Sequence, residues 1–380
     1  MDQRVKIIHI IGGGEFGGAE QHILSLLEQI KKNQSYDTEV VTFYEGLLAK
    51  RLRERGDPVT VLPQSGRFDL KLYSHLLRLF RQKKPSIIHT HGVRANFFAR
   101  LAGKKAGVPH IVTTVHSILK HDYPKPAEYL VAKWMEKLTL SFSERYIAVS
   151  DAVKEDLIHF GVPIERITVI HNGIHTESYA PGPALSQERE RLRRDWGIPP
   201  ESFLLLTVAR LVPVKGIEDL IEGFAIAFAN DPSLRLLIVG DGPERKSLER
   251  LAMEKKVAGH VLFAGFRQDI PALLAASDLY LNTSLSEGLP LSLMEAMAAE
   301  KPVVVTQVGG MKEMIRHEET GLFIPPKNPQ AVAEAILRLK RDEPLQIRLG
   351  KKAGEEVRKR FSVEAMGQAT VNLYESLIEG

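Results

Sequence analysis

The chain contains no cysteine, only 7% of its residues are aromatic, and no apolar run approaches the length of a bilayer span. Without cysteine there are no disulfides, no zinc thiolates and no thiol nucleophile. Binding of single-stranded nucleic acid calls for exposed aromatics interleaved with basic residues. The few aromatics here fall mostly inside apolar patterns, so nucleic acid is not an expected partner. The opening residues pass from charge straight into a strand and a glycine turn, without the apolar core of a signal peptide. The expected location is cytoplasmic, with peripheral contact at the inner face of a membrane left open.

What is present is a soluble α/β composition: 380 residues, 44% hydrophobic and 26% charged, more than one ordinary core can use. The net charge of +4 is unevenly spread. Residues 1–180 carry 25 Lys and Arg against 19 Asp and Glu, and the remainder 26 against 28. A basic first half suits an anionic substrate or an anionic membrane.

Short β-rich runs alternate with helical patterns, which indicates layered parallel α/β structure. In the first half the expected strands are 5–11, 39–43, 59–62, 87–90, 110–115, 146–149 and 167–170. The series restarts with 203–209, 234–239, 261–264, 279–282 and 303–306. Between the two series, residues 180–200 are rich in proline and charge and read as a linker region holding a short arginine-rich helix. Two doubly wound sheets facing across a cleft follow, with ligands at the carboxyl ends of the strands. The expected domains are 1–178 and 179–360, with an amphipathic helix at 361–380.

The most informative stretch runs from Asn282 to Gly310. Glu287 and Glu295 bracket a Gly-Leu-Pro turn leading into an apolar helix. The N–H groups of Leu291 and Ser292 at that helix start suit phosphate, and the carboxylates suit sugar hydroxyls. Along a continuous helix eight residues span about 12 Å, far beyond the roughly 5 Å of a retaining glycosidase pair. The two acids are better placed to hold two parts of one extended ligand. Arg210 and Lys215 follow the first strand of the second series, where two cations can neutralise a leaving pyrophosphate without a metal. No Asp-x-Asp occurs to chelate a divalent ion, so no metal is expected. Gly240, in Val239–Arg245, adds a glycine turn on the same rim.

In the first half, Gly12, Gly14 and Gly17 spell a G-x-G-x-x-G, with Glu45 closing the next strand. That pattern admits an NAD-dependent oxidoreductase, although Glu45 lies beyond the usual distance of roughly 20 residues. The other reading is a loop that lets a sugar, acceptor or phosphate approach the backbone. His89 and His91 share one strand face, and His116 ends a nearby strand. A metal-hydrolase reading lacks a thiol or carboxylate partner; His116 reads as a neutral hydrogen-bonding group and His89 as structural. Helix 70–82 has basic residues Lys71, Arg78 and Arg81 and an apolar stripe of Leu72, Leu76, Leu79 and Phe80. It can lie on anionic lipid or pack on its own sheet.

Taken together, GGAE (Gly17–Glu20), HTHG, TVHS, HNGI, VARLVPVKG, VGDGPER, FAGF, SEGLPLSLMEAMA and VGGMKEMI resemble, in this order, the family-4 retaining glycosyltransferases of the GT-B fold. The resemblance spans nearly the whole chain. It implies transfer of a hexose or N-acetylhexosamine from a UDP or GDP sugar to a glycan, lipid-linked or small-molecule acceptor. Retention without a metal or other cofactor is implied, by a front-face route in which Glu287 is not a covalent nucleophile. Carried onto this chain, Arg210 and Lys215 hold the donor diphosphate with N–H groups near Leu291 and Ser292. Glu287 binds the transferred sugar, Glu295 the ribose, and Phe266 and Arg267 lie near the base. Gly18 lies close to donor phosphate or acceptor, His116 lies beside the sugar, and loop 119–126 faces the acceptor. The final helix is expected to cross back to the first domain, and the domains to close over substrate. One departure stands out. Glu300 occupies a helix end where the family usually has glycine, so a local backbone difference is expected there.

Overall fold

The computed structural model describes residues 4–14, 16–62, 70–123 and 125–379. Glu15 of the glycine turn, Pro124 of the 119–126 loop and the opening residues 1–3 lie outside the described residues. The chain divides into two compact units, Met1–Gly173 with Val363–Gly380, and Ile174–Ser362.

Among the described residues the first unit holds seven strands: β1 (Val5–Ile11), β2 (Tyr36–Thr42), β3 (Val59–Val61), β4 (Ile87–His91), β5 (His110–Val115), β6 (Arg145–Ala148) and β7 (Ile167–Val169). They form one sheet in the order β3-β2-β1-β4-β5-β6-β7, every neighbouring pair parallel. The strand order reverses between β1 and β4, and that switch point opens a crevice at the strands' carboxyl ends. The final helix, Val363–Ile378, packs into this unit through Met366, Tyr374 and Leu377 against Ile7, Leu26 and Ile30. Helix Leu70–Lys83 settles its two readings: Leu72, Leu76 and Phe80 are buried against Ile8, Ile10 and Ile88, and Leu79 packs beside them. Its apolar stripe therefore faces its own sheet, and the lipid reading does not hold for it.

The second unit holds β8 (Phe203–Val208), β9 (Leu234–Val239), β10 (Val261–Gly265), β11 (Leu279–Asn282), β12 (Val303–Thr306) and β13 (Leu322–Ile324). Their order is β10-β9-β8-β11-β12-β13, again all parallel. Strands covered on both faces read as unbroken apolar runs, as in Phe203–Val208. Leu205, Leu236, Ile238 and Leu281 meet helix residues Leu220, Phe224 and Ile336 in one core. The switch point lies between β8 and β11. Strand β13 was not anticipated, because three residues before a Pro-Pro turn carry too little periodicity.

Residues 180–200 are not a linker. Helix Pro183–Asp195 belongs to the second unit, and its arginines bind that unit's backbone. Arg193 donates to the carbonyls of Ala276 and Ser202 at 2.9 and 3.0 Å, and Arg189 donates to Asp278 at 2.7 Å. A pattern of charge looks solvated in sequence, yet here the guanidinium groups satisfy carbonyls beyond the strand ends. The chain passes between units at Gly173–Ile174 and Ser362–Val363, several residues from the expected boundaries.

Glu300 ends its helix in an uncommon conformation. The residue adopts the left-handed conformation that glycine favours, with φ of 54°. Its carbonyl is packed where a Cβ on Gly350 would come within 2.1 Å, and Arg358 donates to its carboxylate at 3.1 Å. An L side chain in this region costs about 1–2 kcal/mol, and a partly exposed ion pair returns at most about 1 kcal/mol. Glu300→Gly is therefore expected to raise stability by about 0.5–1 kcal/mol, read as a higher urea midpoint at unchanged slope.

Candidate functional site

The switch point of the second unit is built by backbone packing. After β8 the chain makes a 3-10 turn, Pro213–Lys215, and then Gly216 starts helix Ile217–Asn230. Gly216 has φ of 59°, and a Cβ there would meet the Thr283 carbonyl at 2.2 Å. Gly309, with φ of 49°, presses equally closely on the Glu287 carbonyl, at 1.9 Å from the position of a Cβ. Only glycine fits either place. The loop after β11 is thus clamped from both sides, with Leu285 N–H donating to the Val214 carbonyl at 2.7 Å.

That clamp brings Lys215 and Glu287 together. Lys215 Nζ donates to Glu287 Oε1 at 2.7 Å, Ser284 Oγ donates to the same oxygen at 2.6 Å, and Asn282 Nδ2 lies at 3.4 Å. Glu287 is only 9% exposed, so these donors stand where water would otherwise bind its carboxyl. All three converge on Oε1, which leaves Oε2 for a further donor. Pro290 is the N-cap of helix Leu291–Ala298, one position earlier than a first-turn proline, so the N–H groups of Leu291 and Ser292 have no partner within the helix.

Glu295 lies on that helix, with one oxygen taken by Tyr179, whose hydroxyl donates at 2.9 Å. Burial raises its carboxyl to about 7, a rise the Tyr179 hydrogen bond partly offsets. Burial also raises the Tyr280 hydroxyl, and the charges of Glu287 and Glu295 reinforce the rise. Tyr280 donates to Ser292 Oγ at 2.8 Å, tying the helix start to β11. The two acids therefore flank one buried tyrosine and do not form a carboxylate couple.

Arg210 is exposed on the loop after β8. Gly240 spends its N–H on the Gly265 carbonyl at 2.8 Å, so it has none to offer a ligand. Phe266 is half exposed beyond β10, and Arg267 pairs with Asp269 at 2.6 Å while its guanidinium lies over Trp196.

In the first unit, Gly18 is the exposed first residue of helix Gly18–Lys32, whose Glu20 accepts the Gly17 N–H at 3.0 Å. His116 joins a cluster that sequence reading resolved only in part. His9 lies beside His89 in strand register, and His22 comes from the helix. His91 Nδ1 lies 3.2 Å from His116 Nε2, and His91 Nε2 lies 3.4 Å from His9 Nδ1. His89 is held by Tyr374 at 2.6 Å and Thr114 at 2.7 Å, in keeping with a structural part. Burial lowers every one of these imidazoles, His9 to about 3 and His22 to about 4. All five are neutral at pH 7. Two trios bring ring nitrogens within 4.8 Å of one another: His9, His89, His91 and His22, His91, His116. Glu45, the acid of the dinucleotide reading, is paired with Arg53 on the surface at 2.9 Å.

Sequence reading missed His9, His22, Tyr179, Asn282 and Ser284. The parallel register of β1 on β4 was a usable signal for His9, since alternation puts it on the face of His89. Nothing local announces Tyr179.

Residues 16–178 match the model described as Glycosyltransferase Family 4, and residues 188–356 the model described as Glycosyl transferases group 1. The UDP-Gal:alpha-D-GlcNAc-diphosphoundecaprenol alpha-1,3-galactosyltransferase of Escherichia coli is 30% identical over 283 residues, 73% of this chain and 72% of that protein. The N-acetyl-alpha-D-glucosaminyl L-malate synthase of Bacillus anthracis is 29% identical over 82% of this chain and 78% of its own. Among solved structures, Anabaena HepE in complex with UDP-glucose superimposes with a TM-score of 0.88 at 26% identity, covering 98% of this chain and all of that one. These matches leave the dinucleotide reading without support.

Glu295 yields a pH test. The folded carboxyl holds its proton between about 4.5 and about 7, where the unfolded one has lost it. Stability attributable to this group is therefore lost as pH rises through that window. Glu295→Gln, which removes the ionisation, is expected to gain on the wild type by on the order of 1–3 kcal/mol between pH 5 and pH 8. Urea unfolding at the two pH values reads it; an equal difference at both would refute the raised carboxyl.

Proposed function

The chain belongs to the family-4 glycosyltransferases, and from that premise we propose that it moves a hexose or N-acetylhexosamine from a nucleoside diphosphate to an acceptor, retaining anomeric configuration and using no metal. The observation that carries the proposal is the Lys215–Glu287 pair at the β8/β11 switch point, beside the free N–H groups of helix Leu291–Ala298. As the bond from the anomeric carbon to the diphosphate breaks, its electron pair goes to the leaving phosphate oxygen. Lys215, Arg210 and the helix N-terminus meet that charge, the work a divalent ion does elsewhere. The attacking hydroxyl passes its proton to the same leaving oxygen, so no protein base is needed for the front-face route.

Glu287 then takes its share of the ligand. In the free protein Lys215 caps its Oε1; with diphosphate bound, the lysine turns to phosphate and the carboxylate accepts sugar hydroxyls. Glu295 offers the carboxyl oxygen that Tyr179 leaves free to the ribose. Phe266 and Arg267 offer a half-exposed ring and a planar cation to the base. Within the first unit, Gly18, exposed at a helix start, and His116, neutral through burial, are suited to meeting a phosphate and a sugar hydroxyl. HepE binds UDP-glucose, which favours UDP as the donor base.

The acceptor is read less narrowly. One relative is named for a sugar on diphosphoundecaprenol, the other for a malate product. A lipid-linked acceptor is favoured by a surface that the sequence did not signal. On helix Pro126–Thr139, Ala132, Met135 and Thr139 are buried, while Leu130, Trp134 and Leu138 form an exposed stripe at 66, 57 and 50%. Lys125, Lys133 and Lys137 accompany it, the composition of a helix that lies on anionic lipid. Among the described residues no helix is long and apolar enough to cross a membrane.

Lys215→Ala and Glu287→Ala are each expected to lower donor turnover at least about 100-fold, a loss of about 3 kcal/mol, in assays containing EDTA. Turnover that survives both substitutions would remove the site assignment, and turnover abolished by EDTA would remove metal independence. Trp134→Asp with Leu138→Asp is expected to abolish co-sedimentation with anionic vesicles at low salt. Retention of vesicle binding by that double variant would exclude this surface.

A further inference from the structure

We propose that His22, His91 and His116 form a binding site for a transition cation of the zinc class. Occupation of this site would withdraw His116 from hydrogen bonding and inhibit transfer. The inhibitory part rests on the role given to His116 above; the binding part does not.

One ring nitrogen from each of the three lies within 4.8 Å of the others. A tetrahedral zinc ion with bonds of about 2.0–2.1 Å sets its nitrogen ligands roughly 3.4 Å apart. His91 Nδ1 and His116 Nε2 are already 3.2 Å apart, and the rings of His22 and His116 meet edge to face at 4.9 Å. Closing the trio takes side-chain shifts of about an ångström, well within rotamer adjustment.

The second observation concerns protons. His22 Nδ1 lies 3.0 Å from Asn172 Oδ1, an oxygen that can only accept, so the His22 proton sits on Nδ1. Its Nε2 is then a bare lone pair, buried and without a partner in the protein. A histidine oriented through its far nitrogen by an amide or carboxylate oxygen, with its near nitrogen unused, is the arrangement found behind metal-ligating imidazoles. His91 is equipped the same way if its Nε2–H donates to His9 Nδ1, which frees Nδ1 to ligate. Burial keeps all three rings in the neutral form that binds metal.

The other trio fails the same test. His89 uses both nitrogens, toward Tyr374 and Thr114, so His9, His89 and His91 cannot close on an ion without breaking one of those bonds. His116 also offers the entry path, being the one of its trio not fully buried. Three neutral imidazoles and no carboxylate select zinc, copper, nickel or cobalt over magnesium and calcium. They leave a fourth position open, where the uncompensated dipositive charge would draw a hydroxide or a phosphate oxygen.

The test uses the untagged full chain, stripped with EDTA and dialysed. Calorimetric titration with Zn²⁺ alone is expected to give one site per chain, unaffected by excess Mg²⁺. Cobalt(II) in place of zinc should give the strong visible d–d absorption of a tetrahedral site, a wild-type readout that no folding defect can mimic. His22→Gln and His116→Gln should each weaken zinc binding at least about 10-fold, while His317→Gln, on the surface of the second unit, leaves it unchanged. No zinc uptake, an octahedral cobalt spectrum, or binding indifferent to His22 and His116 would overturn the site. In the turnover assay stoichiometric zinc should inhibit and EDTA restore. Tight zinc binding without inhibition would overturn the inhibitory part alone, and absence of all turnover bears on the proposed function while the zinc titration still stands.

Discussion

The second unit depends on one constraint: the loop from Thr283 to Glu287 is gripped between two glycines that have no room for a side chain. Gly216 bears on the Thr283 carbonyl and Gly309 on the Glu287 carbonyl, both with positive φ. Through that grip two separate strand ends, β8 and β11, become one surface, and Lys215 can reach Glu287 across the sheet's switch point. A buried carboxylate needs a cation and polar donors to stay ionised. Here the backbone supplies the placement, and Lys215, Ser284 and Asn282 supply the partners. The free N–H groups of the adjacent helix complete a half-site that offers positive charge and one carboxylate oxygen within a few residues.

The first unit solves a different problem with similar means. Five imidazoles would repel one another if charged, and burial removes that repulsion by keeping them neutral. Tyr374, from the last helix of the chain, closes the back of the cluster by bonding His89. The chain's end is thus part of the unit in which it began, and its loss would open the histidine cluster and uncover the faces of Ile7 and Leu26. Neutral rings can donate or accept according to tautomer, which gives this cluster more chemical freedom than its burial suggests.

Legibility in the sequence followed physical locality. Strands such as Phe203–Val208 were plain because burial on both faces writes itself as a near-continuous apolar run. Lys215, Glu287 and the start of helix Leu291–Ala298 were legible because each belongs to a local turn with a stated chemical use. Local signals failed where a side chain's partner is distant in sequence. Tyr179 reaches Glu295 across 116 positions, and His22 reaches Asn172 across 150. Arg189 and Arg193 looked solvated because nothing near them in sequence shows the carbonyls they bind. Leu72, Leu76 and Phe80 admitted two environments, since periodicity identifies an apolar face but not what covers it. Glu300 shows the limit from the other side: packing against Gly350 holds a glutamate in a conformation that its own residue type disfavours.

On the proposed function, the β8/β11 switch point holds a nucleoside diphosphate through Lys215 without a metal. Thermal unfolding in EDTA, with UDP, GDP or NAD at about a hundred times the expected dissociation constant, tests it most directly. A ligand specific to the folded state adds about 2.7 kcal/mol under those conditions, a rise of several degrees. That rise is expected with UDP or GDP, as is its loss in Lys215→Ala. A rise with NAD alone, or a nucleotide effect indifferent to Lys215, would contradict it.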